Sequence, residues 1–211
     1  MSRLSSSQKE FLQRAVLTYG QSVSLAQEYL SARGLTLEDA SQFWVGVVEN
    51  PLPGHEQFKG RLSIPYVTPT GVVDLRFRTM SEEEPKYLGI PGATTTMFNV
   101  QSLFKAEKYI CVCEGEIDTI VMHTKTSHPT VGVPGATSWK PHYNRILDDF
   151  ETVIVLADGD SAGAGFAQKI SRELSNVRTV QMLENEDVNS MYLKFGVDYI
   201  NERIADALGR I

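Results

Sequence analysis

The segment Thr152-Val153-Ile154-Val155-Leu156-Ala157-Asp158-Gly159-Asp160 decides the fold class of this chain of 211 residues. It is a short apolar run that leads directly into an acidic turn with a central glycine. A run of this length, rich in β-branched residues, is typical of a buried strand in a parallel sheet. The same order occurs earlier, where Tyr109-Ile110-Cys111-Val112-Cys113 precedes Glu114-Gly115-Glu116-Ile117-Asp118.

Acidic residues therefore follow two predicted strands. Open α/β sheets bind their ligands beyond the carboxyl ends of the strands, so we expect Glu114, Asp158 and Asp160 to converge there. Carboxylates that crowd together disfavour one another's charged form unless a cation neutralises them. Oxygen ligands of this kind suit Mg²⁺ or Mn²⁺. The sequence thus predicts a divalent metal site at this edge of the sheet.

The segments around the two acidic turns predict an α/β domain with a mostly parallel sheet flanked by helices. Further strands are expected at Pro129–Val133 and Val177–Met182, with a turn at Pro134-Gly135-Ala136. The expected helices lie after the first acidic turn, near residues 139–147, from Ser161 to about Leu174, and from Glu186 onward with an interruption at Gly196.

The N-terminal half predicts a smaller α+β unit. Ser5-Ser6-Ser7 and the capping-box pattern that begins at Thr36 indicate the starts of short helices, and Ser22 begins another between them. A β-hairpin should follow, with strands at Leu62–Val67 and Val72–Arg78 joined by Pro69-Thr70-Gly71.

Basic residues of this hairpin allow two interpretations. Arg76 and Arg78 are spaced i, i+2 and should project from one face, while Leu75 and Phe77 face the other. The residues are either a solvated sheet face or a cationic rim that holds phosphates through bidentate guanidinium contacts. Further candidates for the rim are Arg61, Lys86 and Tyr87.

Composition limits the possible partners. The net charge of −6 falls in residues 111–211, which carry 9 basic and 15 acidic residues, whereas residues 1–110 carry 11 of each. This pattern excludes a broad basic footprint but permits limited contact with nucleic acid. The chain lacks a run of about 18 apolar residues and an apolar N-terminal core, so we expect a cytoplasmic protein without a membrane partner.

Cysteine and histidine usage gives no zinc-binding pattern. Cys111 and Cys113 lie on the same face of one predicted strand, and no second Cys/His pair stands at zinc spacing. They should be small buried hydrophobic residues in a reducing compartment. We therefore expect no zinc.

The acidic residues Glu114 and Asp158-Gly159-Asp160 resemble the signature of the Toprim fold, a glutamate after one strand and an Asp-x-Asp after a later one. The N-terminal half resembles the catalytic core of DnaG-type bacterial and phage primases. Its matching segments, in the order of the family pattern, are Tyr29-Leu30-Ser31-Ala32-Arg33-Gly34-Leu35, Gly60–Pro65, Gly71–Arg78, Lys86-Tyr87-Leu88 and Met97-Phe98-Asn99. The resemblance covers about residues 25–190.

This resemblance implies a primase N-terminal subdomain at residues 1–106 and a Toprim catalytic domain at 107–211. It implies a nucleotidyltransferase that makes short RNA primers on single-stranded DNA from ribonucleoside triphosphates, in phage replication. Glu114, Asp158 and Asp160 would be catalytic and, with Asp118 and Asp187, would hold Mg²⁺ or Mn²⁺. Glu114 would alternatively act as general base. The implied nucleotide- and template-binding residues are Arg61, Arg76, Arg78, Lys86 and Tyr87.

Three features depart from the family pattern. The chain lacks the cysteines of an N-terminal zinc-binding domain, it has only about twenty residues after Asn189, and Asp187-Val188-Asn189 stands where bacterial members have two aspartates. A replicative helicase or a separate zinc-containing protein would then supply template capture. Two alternatives stay open, a Toprim nuclease and a non-catalytic, primase-derived module that binds nucleotide or nucleic acid.

Overall fold

A computed structural model describes residues 4–93, 96–135 and 138–209. The chain divides into two compact units, Met1–Thr96 and Met97–Ile211, which we call the N-terminal and C-terminal units. The boundary precedes the predicted one after residue 106. Phe98 explains the difference, because its backbone N–H and C=O both bond to Gly132 and so attach this segment to the C-terminal unit.

The N-terminal unit begins with short helices, as predicted. Ser5 caps the first one by accepting a hydrogen bond from the Gln8 N–H, and Thr36 does the same for the third through Asp39. These caps satisfy N–H groups that lack a partner within the helix. The helices are α1 (Ser6–Gly20), α2 (Gln27–Ser31), which follows a 3-10 turn at Val23–Ala26, and α3 (Leu37–Gln42).

The described part of this unit also contains a four-stranded antiparallel sheet in the order β1-β2-β3-β4. The predicted hairpin is confirmed as β2 and β3, and Gly71 at its turn has a positive φ of 108°. Leu75 and Phe77 are fully buried in the core against α1. The strands are β1 (Gly46–Val47), β2 (Leu62–Thr68), β3 (Gly71–Arg78) and β4 (Tyr87–Gly89).

The C-terminal unit confirms the predicted α/β architecture. Its described residues form a four-stranded parallel sheet in the order β6-β5-β7-β8. The strands are β5 (Tyr109–Cys113), β6 (Thr130–Gly132), β7 (Thr152–Ala157) and β8 (Val177–Gln181), and the helices are α4 (Glu116–Lys125), α5 (Pro141–Leu147), α6 (Ser161–Glu173) and α7 (Val188–Gly209), which is interrupted at Gly196. Ala136 of the predicted turn lies outside the described residues.

Helices cover both faces of this sheet because alternate side chains of each strand point to opposite sides. Ile110 and Val112 pack in one cluster with residues of α5 and α6, while Cys111 and Cys113 pack in another with residues of α4 and α7. Both cysteines are buried and free, as predicted, and burial raises the pKa of the Cys111 thiol to about 12. In the described ranges, no helix has the length and apolar character that a membrane span requires.

Candidate metal centre

The two acidic turns lie at the ends of neighbouring strands. Strands β5 and β7 pair in parallel with Val112 opposite Val155, so Glu114 and Asp158 leave the same edge of the sheet side by side. In the sheet, β6 lies on the outer side of β5 and β8 lies on the outer side of β7, so the two connections run in opposite directions from the β5–β7 pair. The gap between β5 and β7 is therefore the topological switch point, where open α/β sheets bind ligands.

Glycines allow the backbone to pack closely around the second turn. A Cβ atom at Gly159 would overlap the carbonyl oxygen of Leu183, and one at Gly163 would overlap the backbone of Asp158. Neither position could therefore accept a side chain without movement of the backbone. This close packing fixes the direction in which the Asp158-Gly159-Asp160 turn leaves β7.

Three of the predicted metal ligands also make hydrogen bonds that hold nearby elements. Asp160 caps α6, with its Oδ1 accepting a hydrogen bond from the Gly163 N–H at 2.8 Å. Asp118 Oδ1 accepts one from the Asn189 N–H at 2.9 Å. Asp187 Oδ1 accepts one from the Ser190 N–H at 2.7 Å, at the start of α7. These carboxylates thus support the site as well as adding charge to it.

Glu114 and Asp158 experience the strongest electrostatic conflict. Burial, followed by the charges of Asp160 and Asp118, raises the pKa of Glu114 to about 7. Burial, followed by the charges of Asp118, Glu114, Asp187 and Asp160, raises the pKa of Asp158 to about 8. The structure therefore brings together all five of the predicted acidic residues, closely enough for the other four to raise the pKa of Asp158.

The donor set fits a hard divalent cation. Within the described ranges, the buried Oε1 atom of Glu114 has no hydrogen-bond partner. No three His, Cys, Asp or Glu side chains of those ranges are arranged to enclose one metal ion. That is compatible with Mg²⁺, which usually keeps several waters and takes one or two protein carboxylates together with substrate phosphates. Glu114 and Asp158 are the residues best placed to supply those carboxylates.

Two buried residues that lie next to the acidic segments in the sequence were given no role by the sequence pattern. Glu116, at the first position of α4, is only 1% exposed, and Asn189, at the start of α7, is 3% exposed. The signal for Glu116 was its place between two other acidic residues in one short motif. A buried carboxylate at the first turn of a helix benefits from the helix dipole, which explains its position here.

Basic and aromatic residues of the N-terminal unit form a stacked row. Arg76 and Arg78 lie on the same face of β3, as predicted, with their guanidinium carbons 4.5 Å and 4.9 Å from the centre of the Tyr87 ring. Arg78 is only 6% exposed and donates a hydrogen bond to the Tyr87 hydroxyl. Its guanidinium also lies 5.8 Å from the ring of Tyr29, which in turn stacks with Arg33.

The remaining predicted basic residues are more open to solvent. Lys86 is exposed, and Arg61 is half-buried and donates a hydrogen bond from Nη1 to the Pro85 carbonyl at 2.9 Å. The sequence pattern assigned no binding role to Tyr29 or Arg33, although both stand in one of the segments that carried the primase resemblance. They belong to the same row because the Tyr29 ring contacts the guanidinium groups of both Arg78 and Arg33.

Known proteins provide an independent comparison. Residues 111–192 match a Toprim-like family. The chain is 38% identical over 152 residues to the Gene 57 protein of Mycobacterium phage D29, covering 70% of this chain and 99% of that protein. It is 25% identical over 243 residues to a DNA primase of Pseudomonas putida, covering 92% of this chain. The chain belongs to the same family as that phage protein, and it is similar in sequence to DnaG-type DNA primases.

Solved primase structures share this fold. A DNA primase domain from Pseudomonas aeruginosa gives a TM-score of 0.79 at 21% identity, covering 93% of this chain and 78% of that one. The DnaG primase catalytic domain bound to ssDNA gives 0.77 at 20% identity, covering 94% and 78%. The chain spans 36% of the length of the Pseudomonas putida primase and 38% of that of Haemophilus influenzae.

Proposed function

We propose that this protein is a DNA primase catalytic core that uses Mg²⁺ or Mn²⁺ to synthesise short RNA primers on single-stranded DNA during phage replication. The observation that carries the proposal is the pairing of Glu114 and Asp158 at the switch point of the sheet, with raised pKa values in a chain similar to DNA primases. A divalent ion bound there would neutralise triphosphate charge and favour in-line phosphoryl transfer.

The acidic residues would divide their roles according to their contacts. Glu114 and Asp158 would hold the ion, and Asp160, Asp118 and Asp187 would add charge while keeping α6 and α7 in place. The alternative role of Glu114 is that of general base instead of metal ligand, since a carboxyl group with a pKa near the working pH is suited to accept the proton of the attacking 3′-hydroxyl.

The N-terminal unit would bind the charged and aromatic parts of the substrates. Arg61, Arg76 and Lys86 are sufficiently exposed to contact triphosphate or template backbone, and Tyr87 offers a ring for base stacking. Arg78 is buried and would contribute indirectly, because its hydrogen bond to the Tyr87 hydroxyl holds the Tyr87 ring in position. The solved primase domain bound to single-stranded DNA supports the template class.

Incubation with single-stranded DNA, labelled ribonucleoside triphosphates and Mg²⁺ or Mn²⁺ tests the proposal. We expect short RNA products that disappear in Asp158→Asn and Asp160→Asn variants. Asparagine also caps helices well, so the Asp160 variant should keep its fold. Near wild-type synthesis by Asp158→Asn would contradict its role as a metal ligand, and near wild-type synthesis by Asp160→Asn would show that the site does not need the charge of Asp160.

The same assay separates the alternatives. Cleavage of the DNA without any nucleotide would identify a Toprim nuclease. Binding of nucleotide or DNA with neither synthesis nor cleavage would identify a non-catalytic module. Synthesis that requires added replicative helicase or a zinc-containing protein would show that template capture is supplied by a partner. We place the reaction in the cytoplasm of the phage host.

A further inference from the structure

The loop between β8 and α7 forms a tight turn next to the acidic site. The Glu186 N–H donates a hydrogen bond to the Leu183 carbonyl at 3.0 Å, which closes a four-residue turn. Asn185, the third residue of that turn, has a positive φ of 59°. Asparagine tolerates this left-handed region, whereas β-branched residues strongly disfavour it.

This turn is fastened to the second acidic turn by a reciprocal pair of backbone hydrogen bonds. The Gly159 N–H donates to the Glu186 carbonyl at 2.7 Å, and the Asn185 N–H donates to the Gly159 carbonyl at 2.9 Å. Both polar backbone groups of Gly159 are therefore used. The missing side chain at Gly159 is what allows the Leu183 carbonyl to come so close. We call this pair the Gly159–Asn185 clasp.

The clasp continues into a series of contacts that joins the three acidic segments. Asp187 follows Glu186 directly, and its carboxylate and backbone N–H both bond to Ser190 at the start of α7. In the same helical turn, the Asn189 N–H donates to Asp118 Oδ1. The position of α7 therefore depends on the hydrogen bonds between this loop and Gly159. The distances of Asp187 and Asp118 from Asp158 depend on the same hydrogen bonds.

We propose that Asn185 is a positioning residue for the metal site, acting through its left-handed backbone and not as a ligand. The inference rests on the proposed function, because it assumes that the acidic residues hold a divalent ion. Groups that orient metal ligands are commonly as important for affinity as some of the ligands themselves. A residue that cannot keep the left-handed conformation should open the clasp and let Asp187 and Asp118 move away from Asp158.

Manganese titration of the metal-free protein, followed by electron paramagnetic resonance, tests this role. We expect Asn185→Val to weaken Mn²⁺ binding by roughly tenfold or more, the usual range for the loss of a group that orients ligands. Asn185→Gly keeps the left-handed conformation available and should bind Mn²⁺ like wild type. Recovery by glycine, which lacks any side-chain donor, separates backbone positioning from direct ligation by the amide.

Two control variants make the comparison specific. Lys194→Met removes the ion pair with the Glu186 side chain but leaves the Glu186 carbonyl on Gly159, so Mn²⁺ affinity should not change. Trp44→Val places the same β-branched residue at another left-handed position, with a φ of 55°, in the N-terminal unit. It should lower stability without weakening Mn²⁺ binding.

The outcomes distinguish the two proposals. Absence of Mn²⁺ binding by the wild type would overturn the proposed function itself. Wild-type Mn²⁺ affinity in a folded Asn185→Val protein, or weak binding by Asn185→Gly, would overturn the positioning role alone. If the valine variant does not fold, Asn185→Ala decides the question, together with amide hydrogen exchange. We expect slow exchange at Asn185 and Gly159 in the wild type and faster exchange at both in the alanine variant.

Discussion

The ionisation of Asp158 makes the stability of the folded protein depend on pH. Its carboxyl group is partly buried beside four other acidic residues, which raises its pKa to about 8. At pH values below the ordinary pKa of an aspartate, the Asp158 carboxyl group is neutral in both the folded and the unfolded protein. As the pH rises toward 8, the unfolded chain loses its proton first, so stability falls across this interval. Glu114, with a pKa of about 7, acts in the same direction.

We therefore expect the melting temperature of the C-terminal unit, measured in a chelator, to fall between pH 5 and pH 8 more steeply in wild type than in Asp158→Asn. Mg²⁺ should restore stability to the wild type at pH 8 and have less effect on the variant. The exposed residue Glu202 provides a control, since Glu202→Gln removes the same charge away from the site. Parallel pH profiles for wild type and Asp158→Asn would contradict this account.

Arg76 and Arg78 should respond differently to truncation although they share one face of β3. Arg78 is buried between Tyr87 and Tyr29, so Arg78→Ala should lower the free energy of unfolding by about 1–3 kcal/mol. Arg76 is half-buried, and its stacking on Tyr87 is worth only about 0.5–1 kcal/mol.

Nucleotide binding supplies the second measurement for this pair. Arg76→Ala should weaken triphosphate binding and reduce its salt dependence, while Arg76→Lys should restore it only in part. Denaturant unfolding and a nucleotide titration of both alanine variants measure the two effects. Equal loss of stability in the two variants would contradict the assigned burial. Unchanged nucleotide binding in the double alanine variant would show that neither arginine holds triphosphate, which would leave Arg76 on a solvated sheet face and Arg78 in a structural role.

Individual site residues were predictable where their type and spacing carried the chemistry. Glu114 and Asp158 follow short apolar strands, and that local pattern is sufficient to place them at a ligand-binding edge. The hydrogen bond that Asp118 accepts from Asn189 depends on α7 folding back onto α4, a contact between positions far apart in the chain. The left-handed conformation of Asn185 accompanies its backbone hydrogen bond to Gly159, a contact between distant residues that no local pattern indicates.

At the scale of elements, α6 contains two glycines with opposite roles. Gly163 faces the backbone of Asp158, so Gly163→Ala should force a shift that costs about 1–3 kcal/mol and should weaken metal binding. Gly165 lies two residues further along the same helix, and no heavy atom of the described residues stands within 4 Å of a Cβ placed there, outside its own helical neighbours. Gly165→Ala should therefore stabilise the protein by about 0.5–1 kcal/mol.

Thermal unfolding and Mn²⁺ titration of the two alanine variants measure this difference. Because both substitutions raise helix propensity equally, any divergence reflects what surrounds each residue. A stable Gly163→Ala protein with unchanged Mn²⁺ affinity would show that the acidic turn is less constrained than the structure indicates.

The predictability of elements followed their length and burial. Strands β5 and β7 were predicted to the residue, because each is a continuous apolar run that ends at an acidic glycine turn. Strands β1 and β4 span two and three residues, too few for an alternating pattern, and they form because β2 and β3 offer free edges. The compact units meet before Met97, and not after residue 106, because the Phe98–Gly132 bridge joins segments that are distant in the sequence.

The whole molecule has an uneven charge that limits its contact with nucleic acid. The net charge of −6 lies entirely in residues 111–211, the part that contains the acidic site. Affinity for single-stranded nucleic acid that does not depend on sequence comes largely from counterions released by phosphate contacts. The basic residues of the N-terminal unit offer only a few candidate phosphate contacts, and Arg78 is largely buried. Divalent ions bound at the acidic site would reduce its repulsion of nucleic-acid phosphates, but they would add no side chain that recognises bases.

We therefore expect this chain alone to bind short single-stranded DNA weakly, with a Kd on the order of 10⁻⁴–10⁻⁶ M at physiological salt and little sequence preference. Efficient priming would then require a partner that raises the local concentration of template at the site without altering the metal chemistry. Fluorescence anisotropy with oligonucleotides of varied sequence, with and without Mg²⁺, measures this affinity. The Arg76→Ala variant removes one of the proposed phosphate contacts. Nanomolar, sequence-selective binding by the wild type would contradict the argument, because it would mean that the N-terminal unit reads the template unaided.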